Sequence, residues 1–355
     1  MTATPETSTT EALIAASERH RRLLRRASWI GFVFAVTAIL FVVGHPFFVR
    51  WHLRQHGWSL DSMSHRGGLP EWAPEWSHPW FGPIREAAIR REPLRTNDLH
   101  ALRQFSELRY LSFESVMVSE DNLKALARHS ATFQINFMGC DIEPTGLRHL
   151  AALPNLAFIY SSDMELADSH LENLAECRQI NSLDFFRTPM LDDGLRHLAR
   201  MSGLTRLELF ECRIADHDLE YVANCGNLKH LRLTDRRITD AGMGSLSRLS
   251  QLESLVLENC NVSDVGAKRI VDECPSLKRL AVIHVPMTDA ALHDIARLPN
   301  LRHLGLHDIP ITDEGILKLK ACPTLKSLTI KKTAVTSAGA TELRTSLPGL
   351  DLSVE

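Results

Sequence analysis

Seven aspartates, Asp168, Asp192, Asp216, Asp240, Asp264, Asp289 and Asp313, recur at steps of 24 or 25 residues. Such a column could hold divalent cations. A cation, however, needs several oxygens converging on one point, and one carboxylate per step does not supply them. The column reads better as acids at helix starts, facing the positive end of the helix dipole. Seven cysteines fall into two further columns: Cys140, Cys212 and Cys260 in one, Cys177, Cys225, Cys274 and Cys322 in the other. No C-x-x-C or zinc spacing occurs. A disulfide needs Cα atoms within ~7 Å. Even Cys212 and Cys260 would stand two strands apart, near ~10 Å, so buried structural thiols are expected. His284, His303, His307 and Asp308 cluster late in the chain. His303 and His307 would lie ~13 Å apart along one strand and cannot share a metal. His284 could meet His307 or Asp308 across neighbouring strands, and solvated surface histidines are the favoured reading. There is no G-x-S-x-G, Walker loop or H-E-x-x-H. The expectation is no enzyme, no catalytic residue, no cofactor and no metal.

The aromatic residues are more informative. Tyr110, Phe158, Tyr160, Phe186 and Phe210, with Met138, occupy strand places expected to face solvent. Asp184, Glu208 and Arg232, together with Arg187 and Glu211, would supply a charged rim. Clustered exposed aromatics mark partner-binding surfaces. The competing reading is that a Trp-rich connector folds back over them.

The elements that position these residues follow from one repeat. ITDAGM (238–243) returns as VSDVGA (262–267) and ITDEGI (311–316), with a looser copy, MLDDGL, at 190–195. Aligned on L-x-x-L-x-L, units begin at Ile84, Leu108, Thr132, Leu156, Ile180, Leu204, Leu228, Leu252, Leu277, Leu301 and Leu325, with a terminal strand from Leu350. In LRHLGLHDIP (301–310), Leu304 and Leu306 alternate as in a strand with one buried face. In ITDEGILKL (311–319), Ile311, Ile316 and Leu319 switch to helical spacing. Thr312 is expected as the N-cap, its hydroxyl satisfying first-turn amides. Asp313 follows at the dipole end, and Gly315 lets the helix pack closely. Parallel strands stack ~4.8 Å apart and packed helices ~8–10 Å apart. Strands on one side and helices on the other therefore curve the stack into a horseshoe, with strands concave and helices convex. The third, fifth and seventh places of each unit point into the concavity. The Thr/Ser cap becomes Ala167, Leu191 or Ala215 upstream, so the N-terminal half should be less regular.

These residues resemble the leucine-rich repeat family, in its ribonuclease-inhibitor-like and cysteine-containing forms. The carrying motifs are L-x-x-L-x-L, then C-x-I or C-x-V (Cys212–Ile214, Cys260–Val262), then T/S-D-x-G. The resemblance covers residues 84–355 and implies an α/β solenoid that presents a concave face to a protein partner. No F-box-like helical module precedes it. The layout also resembles bacterial membrane-anchored leucine-rich repeat envelope proteins.

That layout rests on the N-terminus. Residues 27–49 contain no Asp, Glu, Lys or Arg, enough at ~1.5 Å per residue to span a ~30 Å bilayer core. Five arginines precede the run (Arg19, Arg21, Arg22, Arg25 and Arg26), and Trp29 and Trp51 bracket it. The charge bias places the N-terminus in the cytoplasm. Residues 1–26 are then a disordered cytoplasmic tail and 27–49 a transmembrane signal anchor, with a cleaved signal peptide as the rival. Residues 50–83, with Trp51, Trp58, Trp72, Trp76 and Trp80, form a Trp/Pro-rich connector or N-terminal cap. Residues 84–355 are about eleven 24-residue units, placed outside the cytoplasm. The net charge is −3, and the basic N-terminus leaves the body mildly acidic. That argues against nucleic acid, whose binding needs a basic face. No small-molecule substrate is expected. The functional expectation is a single-pass, membrane-anchored protein-interaction scaffold. The alternative is a structural envelope component without a dedicated partner.

Overall fold

The computed structural model describes residues 58–61, 84–90, 94–127 and 129–355. The expected tail and membrane anchor lie outside these residues, as does most of the connector. Among the described residues no helix is long and apolar enough to cross a membrane.

The repeats form a 13-stranded sheet whose strands are neighbours in chain order. We label them β1 (Trp58–Asp61), β2 (Glu86–Ile89), β3 (Tyr110–Glu114), β4 (Gln134–Met138), β5 (Phe158–Ser162), β6 (Ser182–Phe186) and β7 (Arg206–Phe210). β8 (His230–Thr234), β9 (Ser254–Glu258), β10 (Arg279–Ile283), β11 (His303–His307), β12 (Ser327–Lys331) and β13 (Asp351–Val354) follow. From β2 onward every pairing is parallel; β1 pairs antiparallel to β2 and so covers that edge. Register steps are 24 residues, as in Arg206↔His230, with 25 at Ser254↔Arg279. The last step differs from the sequence alignment. Ser327 pairs with Asp351, so the terminal strand begins its unit at Gly349, which has φ +103°, and not at Leu350.

Alternation decides the two faces. Leu207 and Leu209 are fully buried, as are Leu231, Leu233, Leu255 and Leu257. Their neighbours at the third, fifth and seventh places lie on the opposite, helix-free face. Upstream, rings replace leucine in the core: Phe113 and Phe137 stack at 5.4 Å, and Phe185 is also buried. Each strand hands over to a helix, but not always an α-helix. Pro144–Ala152 and Gly194–Arg200 are 3-10 segments in the less regular N-terminal half, but Ala167 and Ala215, which also lack a Thr/Ser cap, precede the α-helices Asp168–Leu174 and Asp216–Val222.

The aspartate column does more than face its own helix dipole. Asp216 accepts from the backbone N–H and hydroxyl of Thr239 in the next unit, at 2.8 and 2.6 Å. Asp240 does the same for Ser263, Asp264 for Thr288, Asp289 for Thr312 and Asp313 for Thr336. The T-D-x-G glycine belongs to this joint. A Cβ at Gly242, Gly266, Gly315 or Gly339 would run into the aspartate of the preceding unit. The joint to Asp264 carries Ala291 in that place, and its aspartate-to-threonine spacing is one residue longer, 24 against 23. Thr312 departs from expectation: its hydroxyl donates to Asp289 and makes no cap bond to its own helix. Thr239, Ser263, Thr288 and Thr336 do accept from first-turn amides. Asp192 also departs. It sits at φ +56° outside any helix and joins no neighbour in this way. Upstream the joints use other donors: Glu120 accepts from Thr145, Arg148 and His149, and Asp168 from Arg196 and His197.

Immediately after the strands, the eighth place of most units is left-handed. Ser115, Asp163, Arg187, Glu211, Asn259, His284, Asp308 and Lys332 have φ between +50° and +55°, save Arg187 at +46°; Gly139 is the glycine among them. Each still donates its N–H to the next unit, as Glu211 does to Thr234 at 2.8 Å and Lys332 to Glu355 just past β13, and the turn then sends the chain off the face.

Candidate interaction face

Tyr110, Met138, Phe158, Tyr160, Asp184, Phe186, Glu208, Phe210 and Arg232 all lie on the helix-free face, and all are half-buried. They do not form one patch. Phe186 and Phe210, register partners on β6 and β7, stack with centroids 4.5 Å apart and planes 13° from parallel. Arg187 lies over Phe186 at 4.8 Å and Arg232 over Phe210 at 5.9 Å. The guanidinium charge is attracted to the negative ring face, so the stack is clamped between two cations. Phe158 and Tyr160 stand together on β5. Tyr110 is set apart, because Gln134 lies between it and Phe158 in the register. There Gln134 donates to Asn136, and Asn136 to Ser112, at 2.8 and 3.0 Å. Met138 is likewise separated from Phe186 by the buried Ser162.

Charges of alternating sign cross the strands beside the stack. Arg232 bonds Glu258 at 2.6 Å and reaches Glu208 at 4.0 Å; Arg206 pairs with Glu208 and approaches Asp184 at 3.8 Å. Asp163 pairs with Arg187 at 2.9 Å on the rim. Asp184 has the weakest support of the set. Its Oδ1 is buried without a hydrogen bond. Burial, with the Glu208 carboxylate beside it, pushes its carboxyl up to about 6. Losing water disfavours the charged form, and a like charge adds to that.

The remaining candidates stay apart. His284 Nδ1 meets Asp308 at 3.2 Å with both side chains more than half exposed, while His303 and His307 sit at opposite ends of β11. Among the described residues no group of three His, Cys, Asp or Glu could hold a metal ion. All seven cysteines are free and buried. Burial pushes the thiols of Cys177, Cys212, Cys225 and Cys274 up to about 12 and that of Cys260 to about 11. These are packing groups. Sequence reading missed Phe133, which is 43% exposed. It lines an open hollow of about 530 Å³ with Glu107, Arg109, Asn155 and Gln179. The signal was present: Phe133 occupies the second place of its unit, where later units carry Thr205, Lys229 or Arg302.

Two family models match the sequence. One is described as an FBD-associated F-box protein, LRR repeats, over residues 273–351, and the other as a leucine-rich repeat over 250–271. The same 24-residue register runs from β2 to β13, and the protein is a leucine-rich repeat protein. Among solved structures, an internalin of Listeria monocytogenes overlaps with TM-score 0.48 at 17% identity, covering 76% of this chain and 86% of its own. An internalin C2 from the same organism gives 0.44 at 20% identity, covering 60% and 84%. A leucine-rich repeat protein of Leptospira interrogans gives 0.44 at 14%, covering 72% and 74%. No curated protein matches the sequence.

Proposed function

We propose that this protein is a membrane-anchored scaffold that captures a protein partner on its helix-free face. The carrying observation is the Phe186–Phe210 stack, half-exposed and held between Arg187 and Arg232. Aromatic and arginine side chains dominate binding energy at protein interfaces, and here they are pre-ordered by their own contacts. Leucine-rich repeat folds are for the most part binding scaffolds and not enzymes. The uncharged run 27–49 after an arginine-rich start supports a single-pass anchor with the repeats outside the cytoplasm.

A photocrosslinker at Tyr160 tests the face in native cells, with exposed Lys268 on the helix side as control. The expected result is one dominant partner adduct from Tyr160 alone, and loss of co-purification of that partner by a folded chain that carries Tyr160→Ala with Phe186→Ala and no crosslinker. Unchanged capture by that double variant overturns the reading. Adducts within the chain, to residues 62–83, would assign the face to internal cover.

A further inference from the structure

The leading edge of the strands carries a second pattern. In β7 to β12 the third place of each unit and the residue before it read Thr205–Arg206, Lys229–His230, Glu253–Ser254, Lys278–Arg279, Arg302–His303 and Lys326–Ser327. Six of these are Lys or Arg and one is acidic. In-register pairing sets the third-place residues side by side on the face of the aromatic stack, one strand step of ~4.8 Å at a time, and the second-place residues stand just ahead of them, before the strands begin. Lys278 is matched by Glu253 at 3.0 Å, and Arg206 by Glu208. Among the described residues Arg279, Arg302 and Lys326 form no ion pair, and all three are exposed. The crowding is felt locally: His230 loses basicity first through burial and then through Arg206, with Arg279 and Lys229 adding to it. In β3 to β6 the corresponding places hold Arg109–Tyr110, Phe133–Gln134, Ala157–Phe158 and Asn181–Ser182, three aromatic residues and one cation. The edge therefore changes from aromatic to cationic along the solenoid.

We infer that this edge seats an acidic polypeptide segment that crosses the strands, its carboxylates on Arg279, Arg302 and Lys326 and its apolar side chains toward the aromatic units. This rests on the interaction-face reading and names the partner's chemistry. A uniformly anionic polymer would fit less well, because Asp184, Glu208 and Glu258 stand on β6, β7 and β9 of the same sheet and repel it. A polypeptide carries both signs, and it brings the apolar groups that Phe158 and Phe186 can bury. Unmatched cations that meet opposite charge also speed encounter and fix the sense of docking.

The test uses the full chain in detergent and a fluorescein-labelled peptide of repeated Glu-Glu-Phe-Glu, read by anisotropy. A Gln-for-Glu peptide, heparin and phosphatidylserine vesicles form the other arms. Saturable binding of the acidic peptide is expected, weakened by salt and by about tenfold or more in Arg279→Glu with Arg302→Glu. Both side chains are exposed, and the length-keeping pair Arg279→Gln with Arg302→Gln replaces the reversal if the latter unfolds. Equal binding by native and variant chains overturns the inference, as does binding to heparin or vesicles without the peptide. If Tyr160→Ala with Phe186→Ala loses cellular capture while charge reversal leaves capture and peptide binding intact, the acidic-segment inference fails and the face reading stands.

Discussion

Asp184 is the residue at which the face is least at ease with its own folding. Its carboxyl is raised to about 6 from an ordinary 3.8, so the folded chain takes up a proton that the unfolded chain does not hold. The stabilising contribution is full below about 3.8 and is lost as pH rises through about 6. Asp184→Asn is therefore expected to raise the melting temperature at pH near 7.5 and to leave it unchanged near pH 4, as read by calorimetry at both values. An equal shift at the two pH values would assign the effect to packing and not to charge. The cysteines make the opposite statement. Thiols held near 12 by burial carry almost no thiolate at neutral pH. Iodoacetamide is expected to label none of Cys177, Cys212, Cys225 or Cys274 in the native state within the time that labels all of them in denaturant, and mass spectrometry decides it.

At the scale of elements, stability resides in the joints between units. Asp240→Ala removes bonds of 2.7 and 2.6 Å to Ser263 and leaves an amide and a hydroxyl to find water, an expected loss of about 2 kcal/mol in denaturant melts. Gly315→Ala drives a methyl group into Asp289 and is expected to cost about 1–3 kcal/mol. Gly226→Ala, with nothing within 4 Å of the added carbon, should be neutral or stabilise by about 0.5 kcal/mol. The strands were legible in the sequence, because Leu207 and Leu209 alternate with polar neighbours and the interval repeats. So was the membership of the face, since places three, five and seven follow from alternation alone. What touches what was not. Nothing in the sequence shows that Phe186 and Phe210 stack while Tyr110 is cut off by Gln134 and Asn136. The aspartates were placed at helix starts correctly in all cases but Asp192, yet their second role needs the reach to the neighbouring coil, which a linear pattern does not contain. Gly-Leu-Arg-His-Leu stands at 146–150 and again at 194–198. That twin marks the two 3-10 coils whose histidines replace the threonine joint, and its meaning appears only when His149 meets Glu120 and His197 meets Asp168.

At the scale of the whole molecule, each described coil leans chiefly on its two neighbours, and stability is a sum of units and joints. Hydrogen exchange is expected to be slowest in β7 to β10 and fastest in β1 and β13, each of which has one neighbour in the sheet; uniform protection would contradict this. A C-terminal alkaline phosphatase fusion is expected to be active if residues 27–49 export the repeats, and inactive if they do not. The joint described above has one further consequence. Asp240, Asp264, Asp289 and Asp313 present the same socket, and Ser263, Thr288, Thr312 and Thr336 the same plug. Excising residues 241–264 would bring Asp240 to Thr288 at the 24-residue spacing that Asp264 now has and set Gly266 in the place of Gly242 against Asp216, a mating the chain already makes elsewhere. The solenoid is a train of wagons with a common coupling. Its reach along a partner can be lengthened or shortened by whole wagons in one recombination event, with no new bond to invent at the junction.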